Sequence, residues 1–531
     1  MGSAERMNNL FPLHIGFLLT LNANRYPQKT AIVCNRQRIS YAQLNRRVNK
    51  LAHGLLELGV TKGDKVAYLL PNGLRIVELY YAVQKIGAVS VAINYRLASP
   101  EIGCLLEQAD CQVFVYHELF DDKVRQVKEN VKTISLMIRV GEQPIQGEYA
   151  FEALTDHDHE EEPDILIGEE DLCRIQFTGG TTGRSKGVMR TQRQEIFQVI
   201  GITTALELGG PDRVMLTQSP LCHQAGLSWL NVAIGAGNTL IVCDRFEPEK
   251  ILRQIQEESV TNVMLLPPSS YHRIFALPSL AEYDLSSVKS VHSSAGGTSP
   301  EIVRKLYKVF PNCVVRCGYG LTETGGVGTT FVLTREVLEN NPELTKSVGK
   351  EMSFLELRLV DESGREVPVG ETGECIARGP SVMTGYYNQP ELTEEVIKEG
   401  WVYTGDLLRK DEKGYYYFMD RKKDMIKSGG ENVFAQEVEG VIRTHSAVDD
   451  CAVIGVPDPR FGEAVMAVIK TKPGQAVTGE GIQEHCKKYL AGYKKPRLVE
   501  FVDEFPVDQA GKIQKYKLRA TFARKDFPET M

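Results

Sequence analysis

The 531-residue chain reads as an α/β protein that closes with an α+β unit. Three observations predict this. Apolar strand-like segments alternate with capped helix-like segments through the first third and again from Thr239 to Arg316. Shorter strands separated by turns take over near Glu356, and the last hundred or so residues carry strands and helices of their own. Single cores stop growing near ~300 residues, so at least two domains are expected.

Lys29 to Cys34 and Asp64 to Leu70 have the Val, Ile, Leu and Tyr content of strands. Between them Ser40 can cap a helix, with Gln43 completing a capping box. That helix runs to Leu58 and ends at Gly59, the residue type suited to a C′ position. A second helix follows Pro71-Asn72, reaches Ile86 and stops at Gly87, and Val89 to Ile93 returns as a strand. Apolar strands in this alternation describe a parallel sheet covered on both faces. The rhythm resumes with strands at Thr239 to Cys243, Asn262 to Leu266, Val288 to Ser293 and Val314 to Arg316, around helices at Pro248 to Glu258 and Pro300 to Phe310. Phe354 to Val360 and Glu374 to Arg378 are short strands, and Leu407 to Lys410 with Tyr415 to Met419 form a hairpin whose turn holds Gly414. The final unit has helices near Gln436 to Arg443, Gly481 to Leu490 and Tyr516 to Ala523, and strands at Cys451 to Val456 and Ala464 to Lys470.

Composition excludes several classes. With 62 Lys+Arg against 69 Asp+Glu the net charge is −7, so no basic face for nucleic acid is indicated. Hydrophobic residues at 42% and charged residues at 25% rule out wholesale disorder. The cysteines, scattered from Cys34 to Cys486 without a CxxC pair, fit reduced cytoplasmic thiols better than a zinc site or a disulfide framework. Leu10 to Leu21 is broken by Pro12 and His14 and falls short of the ~20 apolar residues a bilayer crossing needs. The run from His157 to Glu162 reads as a solvated loop rather than a metal site.

Four segments carry chemistry. Phe177 to Gly187 (FTGGTTGRSKG) combines glycines that admit an anion with hydroxyls, amides and the mobile charge of Lys186. It is not a Walker A loop, because Ser185 separates the last glycine-arginine pair from the lysine. Gly318 to Glu323 (GYGLTE) offers Tyr319 for stacking a purine and Glu323 for Mg²⁺. Tyr403 to Asp406 (YTGD) sets a carboxylate beside a glycine, suited to ribose hydroxyls. Asp420 to Gly430 (DRKKDMIKSGG) packs four basic residues before a glycine pair.

In this order the motifs resemble the adenylate-forming superfamily of acyl-CoA synthetases, luciferases and peptide-synthetase adenylation domains, over roughly Pro27 to Arg519. The fatty-acyl-CoA ligase branch is echoed by Gly400-Trp401, Thr404-Gly405-Asp406, Gly414 and Asp420-Arg421-Lys422-Lys423. The resemblance implies a large N-terminal domain, residues 1–420, of two covered parallel-rich sheets plus a small distorted β-barrel. It also implies a hinge at 421–423 and a small mobile α+β C-terminal domain, 424–531. Thr178, Gly180, Thr181, Thr182, Gly183 and Lys186 would hold the β- and γ-phosphates. Gly296 and Gly297 would line the adenine with Tyr319 and Gly320, Thr322 would touch the α-phosphate, and Glu323 would hold the magnesium. Asp406 would bind the ribose with Arg421, and Lys512 would bridge the acid and the α-phosphate. Lys423 falls at the hinge, Gly430 at the pantetheine tunnel, and His223 near the acyl carboxylate, where a plain core histidine stays the alternative. Two positions depart from the family loop: Gly179 replaces Ser, and Ser185 replaces Pro, which makes the turn less rigid.

The implied activity is ATP-dependent acyl-CoA ligation through acyl-AMP, with Mg²⁺, and with coenzyme A as co-substrate. On this branch the acid is a medium- or long-chain fatty acid. No Asp in Pro220 to Trp229 stands ready for an α-amine, which argues against an amino acid. An aryl-CoA ligase is the runner-up, and an ATPase or kinase is the reading from another class. Lys494, Lys495 and Arg497 serve either the nucleotide end of coenzyme A or a solvated loop. A homodimer and a peripheral membrane contact stay open.

Overall fold

The computed structural model describes residues 13–143, 145–178, 185–265, 269–294, 300–428, 431–458, 460–507 and 512–522. It divides into two compact units, residues 1–357 with 377–402, and residues 358–376 with 403–531.

The first unit holds two large sheets. One has nine strands, with Thr30–Cys34, Thr239–Val242, Val214–Thr217, Asn262–Met264, Ser290–Ser294 and Val314–Gly318 running parallel at its centre and antiparallel strands at both edges. The other has eight, in which Val89–Ala92, Lys65–Leu69, Val113–His117 and Leu136–Val140 are parallel. Leu172–Thr178 joins Val89–Ala92 in parallel and then pairs antiparallel with Lys186–Thr191. One core takes Ile32 and Leu240 from the first sheet, Val66 and Tyr68 from the second, and the helices Tyr41–Glu57, Leu74–Lys85 and Gln224–Gly235. Covered, parallel-rich sheets are what the apolar alternation predicted.

Local signals act where expected. Ser40 and Gln43 form the capping box of the helix Tyr41–Glu57, and Gly59 and Gly87 turn the chain at φ +84° and +67°. The run at His157 to Glu162 is the exposed loop the sequence suggested, anchored at its last residue. Glu162 accepts from Lys85 (2.5 Å), Asn45 (2.7 Å) and Thr20 (3.0 Å). The Lys85 side chain is only 2% exposed, and a buried ammonium needs a counter-charge. Among the described residues no group of three or more His, Cys, Asp or Glu side chains could hold a metal ion. No helix among them is long and apolar enough to cross a membrane.

The shorter strands form an open, half-barrel sheet of Glu356–Val360, Thr372–Arg378, Trp401–Lys410, Ile397–Lys398 and Tyr416–Arg421. A separate C-terminal sheet is built on the long hairpin of Val448–Asp458 and Gly462–Thr471. The helices Ala435–Ile442 and Gly479–Lys487 contribute to one of its apolar cores, and Lys515–Phe522 to another.

Candidate active site

In the first unit the hairpin of Leu172–Thr178 and Lys186–Thr191 pairs Thr178 with Lys186 across its open end. Gly180, Thr181, Thr182 and Gly183 belong to the connecting loop, outside the described residues. The end of that loop is clamped. Ser185 O accepts from Gln108 Nε2 (3.0 Å) and Gln389 Nε2 (3.3 Å), and Gly187 O accepts from Tyr387 N (2.8 Å). Two side-chain amides therefore hold the position where a proline was missed.

Lys186 and Glu323 meet at one aromatic ring. The Lys186 ammonium stands 5.1 Å from the centroid of Tyr386, and the Tyr386 hydroxyl donates to Glu323 Oε1 at 3.0 Å. The strand Gly385–Tyr386 pairs antiparallel with Lys186–Thr191, which brings the ring to the hairpin. Burial, helped by the adjacent carboxylate, pushes the Tyr386 phenol well above its ordinary range, so it remains a donor. Sequence reading missed Tyr386, whose only local signal is the aromatic pair after Gly385.

The turn bearing Glu323 is shaped by its neighbours. Thr322–Thr324 is one 3₁₀ turn closed by Gly325 at φ +91°. Gly328 N donates to Tyr319 O (2.7 Å), and Tyr319 N to Thr329 Oγ1 (3.1 Å). A Cβ on Gly320 would lie 2.3 Å from Gly326 O, so the loop closes only over glycine. Tyr319, Gly320, Thr322 and Glu323 are thus presented from one rigid turn, while Gly296 and Gly297 lie outside the described residues.

His223 precedes the helix Gln224–Gly235 and is half-buried. Asn94 Oδ1 accepts from Arg96 N (2.9 Å), which orients the amide so that Nδ2 donates to His223 Nε2 (2.9 Å). The imidazole therefore carries its proton on Nδ1.

In the second unit Asp406 lies inside the strand Trp401–Lys410 in register with Arg421. Asp406 is 2% exposed, and its carboxylate is 3.4 Å from Arg421 Nε. Glu374, unremarked in the sequence as a supporting residue, accepts from Gly405 N (3.1 Å) and Lys422 Nζ (2.7 Å) and so braces both strands. Burial, with Arg421, Lys512 and Arg519 nearby and only partly offset by Asp424, pushes the Lys423 ammonium down to about 8. Lys512 is exposed beside Ile513, which bridges to Val507; Gly430 lies outside the described residues. Lys494 is held by Glu437 at 2.7 Å, and the Arg497 guanidinium covers Phe461 at 3.8 Å.

A family model described as AMP-binding enzyme matches residues 19–387, and one described as AMP-binding enzyme C-terminal domain matches residues 437–512. The chain belongs to the AMP-binding enzyme family. This AMP-binding enzyme is 36% identical to a feruloyl-CoA synthase of Amycolatopsis sp over 94% of its length and 97% of that relative. It is 33% identical to a long-chain-fatty-acid–CoA ligase of Mycobacterium tuberculosis over 96% of its length and 99% of that relative. Its fold matches the crystal structure of ATP-bound MatB from Rhodopseudomonas palustris with TM-score 0.86 at 28% identity, covering 97% of this chain and 99% of that one.

The AMP-binding enzyme is an AMP-forming acid–thiol ligase that joins a carboxylic acid to coenzyme A through acyl-AMP at the expense of ATP. That sets aside the ATPase and kinase reading. Mg²⁺ is the usual metal of this class, and the donor set suits it. Glu323 offers a hard carboxylate, of which Oε1 accepts from a protein hydroxyl.

Proposed function

We propose that the acid is a medium- or long-chain fatty acid, and that the ligase works in the cytoplasm, where ATP and coenzyme A are supplied. The observation that carries the aliphatic reading is the helix Gln224–Gly235 (QAGLSWLNVAIG), which has no ionisable side chain and buries Leu227, Trp229 and Leu230. An acid bearing an amine or a second carboxylate would find no counter-charge on it.

The first half-reaction brings two anions together, a carboxylate and the α-phosphate of ATP. Lys186 beside Glu323, and Lys512 from the second unit, are the groups that neutralise charge as they approach. Magnesium held at Glu323 supplies further neutralisation of phosphate charge when bound. Asp406 accepts from the ribose hydroxyls while Arg421 steadies it, and Tyr319 stacks the base. His223, with Nδ1 protonated, donates toward the acyl carboxylate. Thioester formation places the coenzyme A thiol where Lys512 acted, so residues 424–531 turn about 421–423 with Lys423 at the pivot.

A second reading, an aryl acid, is favoured by Trp229. Its indole N–H is buried with no partner among the described residues, and its ring meets His292 edge-on at 4.6 Å. A buried unpaired donor is costly, and an oxygen on an aromatic acid would satisfy it. Pyrophosphate release with octanoate, hexadecanoate, benzoate, indoleacetate and ferulate, with and without coenzyme A, decides between them. Preference for hexadecanoate or octanoate is expected; preference for ferulate or benzoate replaces the aliphatic reading with the aryl one.

A further inference from the structure

Beneath the site lies a charge cluster that the chemistry above does not use. Arg174, Arg190 and Glu195 have side chains 0–1% exposed. Glu195 Oε1 accepts from Arg174 Nη2 at 2.9 Å and from Arg190 Nε at 2.6 Å. Arg174 comes from the strand entering the phosphate loop, Arg190 from the strand leaving it, and Glu195 from the helix Gln192–Ala205 that follows. Replacing a buried ion cluster with apolar side chains is often neutral or stabilising, so fold stability alone is a weak reason for its presence.

Further hydrogen bonds of the cluster reach two other site-bearing segments. On the acid side, Arg174 Nη2 donates to Gln224 Oε1 (2.6 Å) and Nη1 to Gln176 Oε1 (3.0 Å). Gln176 Nε2 in turn donates to Cys222 O (2.8 Å). Those contacts fasten both residues that flank His223. On the nucleotide side, Arg190 donates through Nη1 to Ser381 O, two residues before Met383, whose N–H donates to Glu323 O (2.8 Å). A Cβ on Gly325 would meet Arg190 Nη2 at 3.3 Å and Ser381 O at 3.0 Å, so the guanidinium packs directly under the turn that presents Glu323.

We infer that Arg174, Arg190 and Glu195 are positioning residues, with Arg174 setting the acid-side turn at His223 and Arg190 setting the nucleotide-side turn at Glu323. Glu195 holds the two guanidiniums at one point and so fixes one side of the site against the other. Arginine suits this task because its planar fork donates in several fixed directions at once. The inference rests on the site assignment above, with His223 on the acid side and Glu323 on the nucleotide side.

The test is steady-state pyrophosphate release with the best acid of the panel, varying acid and ATP separately, beside thermal unfolding. Arg174→Met is expected to raise KM for the acid about tenfold and leave KM for ATP within about twofold. Arg190→Met is expected to do the reverse, with kcat also reduced, and Glu195→Gln to raise both. Arg174→Lys and Arg190→Lys should recover little, since a single ammonium cannot replace the fork. Gln224→Met leaves the charges in place and should reproduce the acid-side shift even if an arginine variant fails to fold. Equal changes in both KM values for Arg174→Met and Arg190→Met, or lowered unfolding temperature with unchanged KM values, would overturn the inference. Glu323→Gln separates the two failures: full activity in that variant sinks the site assignment itself, whereas its loss of activity beside unsplit arginine variants sinks only the positioning roles.

Discussion

Two regions of this enzyme gather positive charge, and they treat it in opposite ways. Around Glu195, two guanidiniums are fully buried, share one carboxylate and direct further donors to backbone and amide oxygens, while Arg174 Nε has no partner among the described residues. Around Lys423 the charges are more exposed and mixed in sign, with Asp424 paired to Arg519 at 2.8 Å. Arg421, Lys512 and Arg519 all oppose its protonation, and burial pushes it down to about 8. The first arrangement has one low-energy geometry, because any movement strands a buried charge. The second leaves its charges within reach of solvent, which screens them. The same side-chain types thus form a closed buried cluster in one region and a solvent-accessible one in the other, separated by burial and counter-charge.

The comparison breaks most decisively at Lys512. Lys512→Ala should lower acyl-AMP formation by about three orders of magnitude while sparing thioester formation from preformed acyl-AMP. Equal losses in the two single-turnover half-reactions would remove the division of labour between the regions. Lys423→Pro should come next, slowing thioester formation by about a hundredfold and acyl-AMP formation by less than about threefold. Unchanged rates in both halves would place the pivot elsewhere. The smallest effect belongs to the rigid side. Tyr386→Phe removes one hydrogen bond to a charged group and should cost about tenfold in kcat/KM for MgATP, with the acid's KM unmoved. A variant indistinguishable from wild type in MgATP titrations would mean that Glu323 needs no support from the ring.

Much of the architecture was legible before any coordinates. Ser40 with Gln43, Gly59 and Gly87 act within a few residues of themselves, and the structure keeps each in its expected role. The parallel sheets follow from largely apolar strands such as Val89–Ala92, buried along its whole length. Lys186 and Glu323 stood out as candidates because a glycine-rich loop ending in lysine, and a turn ending in a carboxylate, are unusual combinations. Tyr386 was not, since an aromatic next to another aromatic is ordinary core composition until Lys186–Thr191 pairs with it. The partner of Glu162 was not legible for a related reason: in a run of acidic residues nothing marks the one that meets Lys85, 77 positions away.

By itself the sequence determined what depends on near neighbours: caps, turns, strand character and the order of the nucleotide-binding segments. Tertiary structure alone decided which charges are compensated. Arg174 is 21 positions from Glu195 and 50 from Gln224, and a guanidinium's effect depends on burial and on partners that only packing brings within hydrogen-bonding distance.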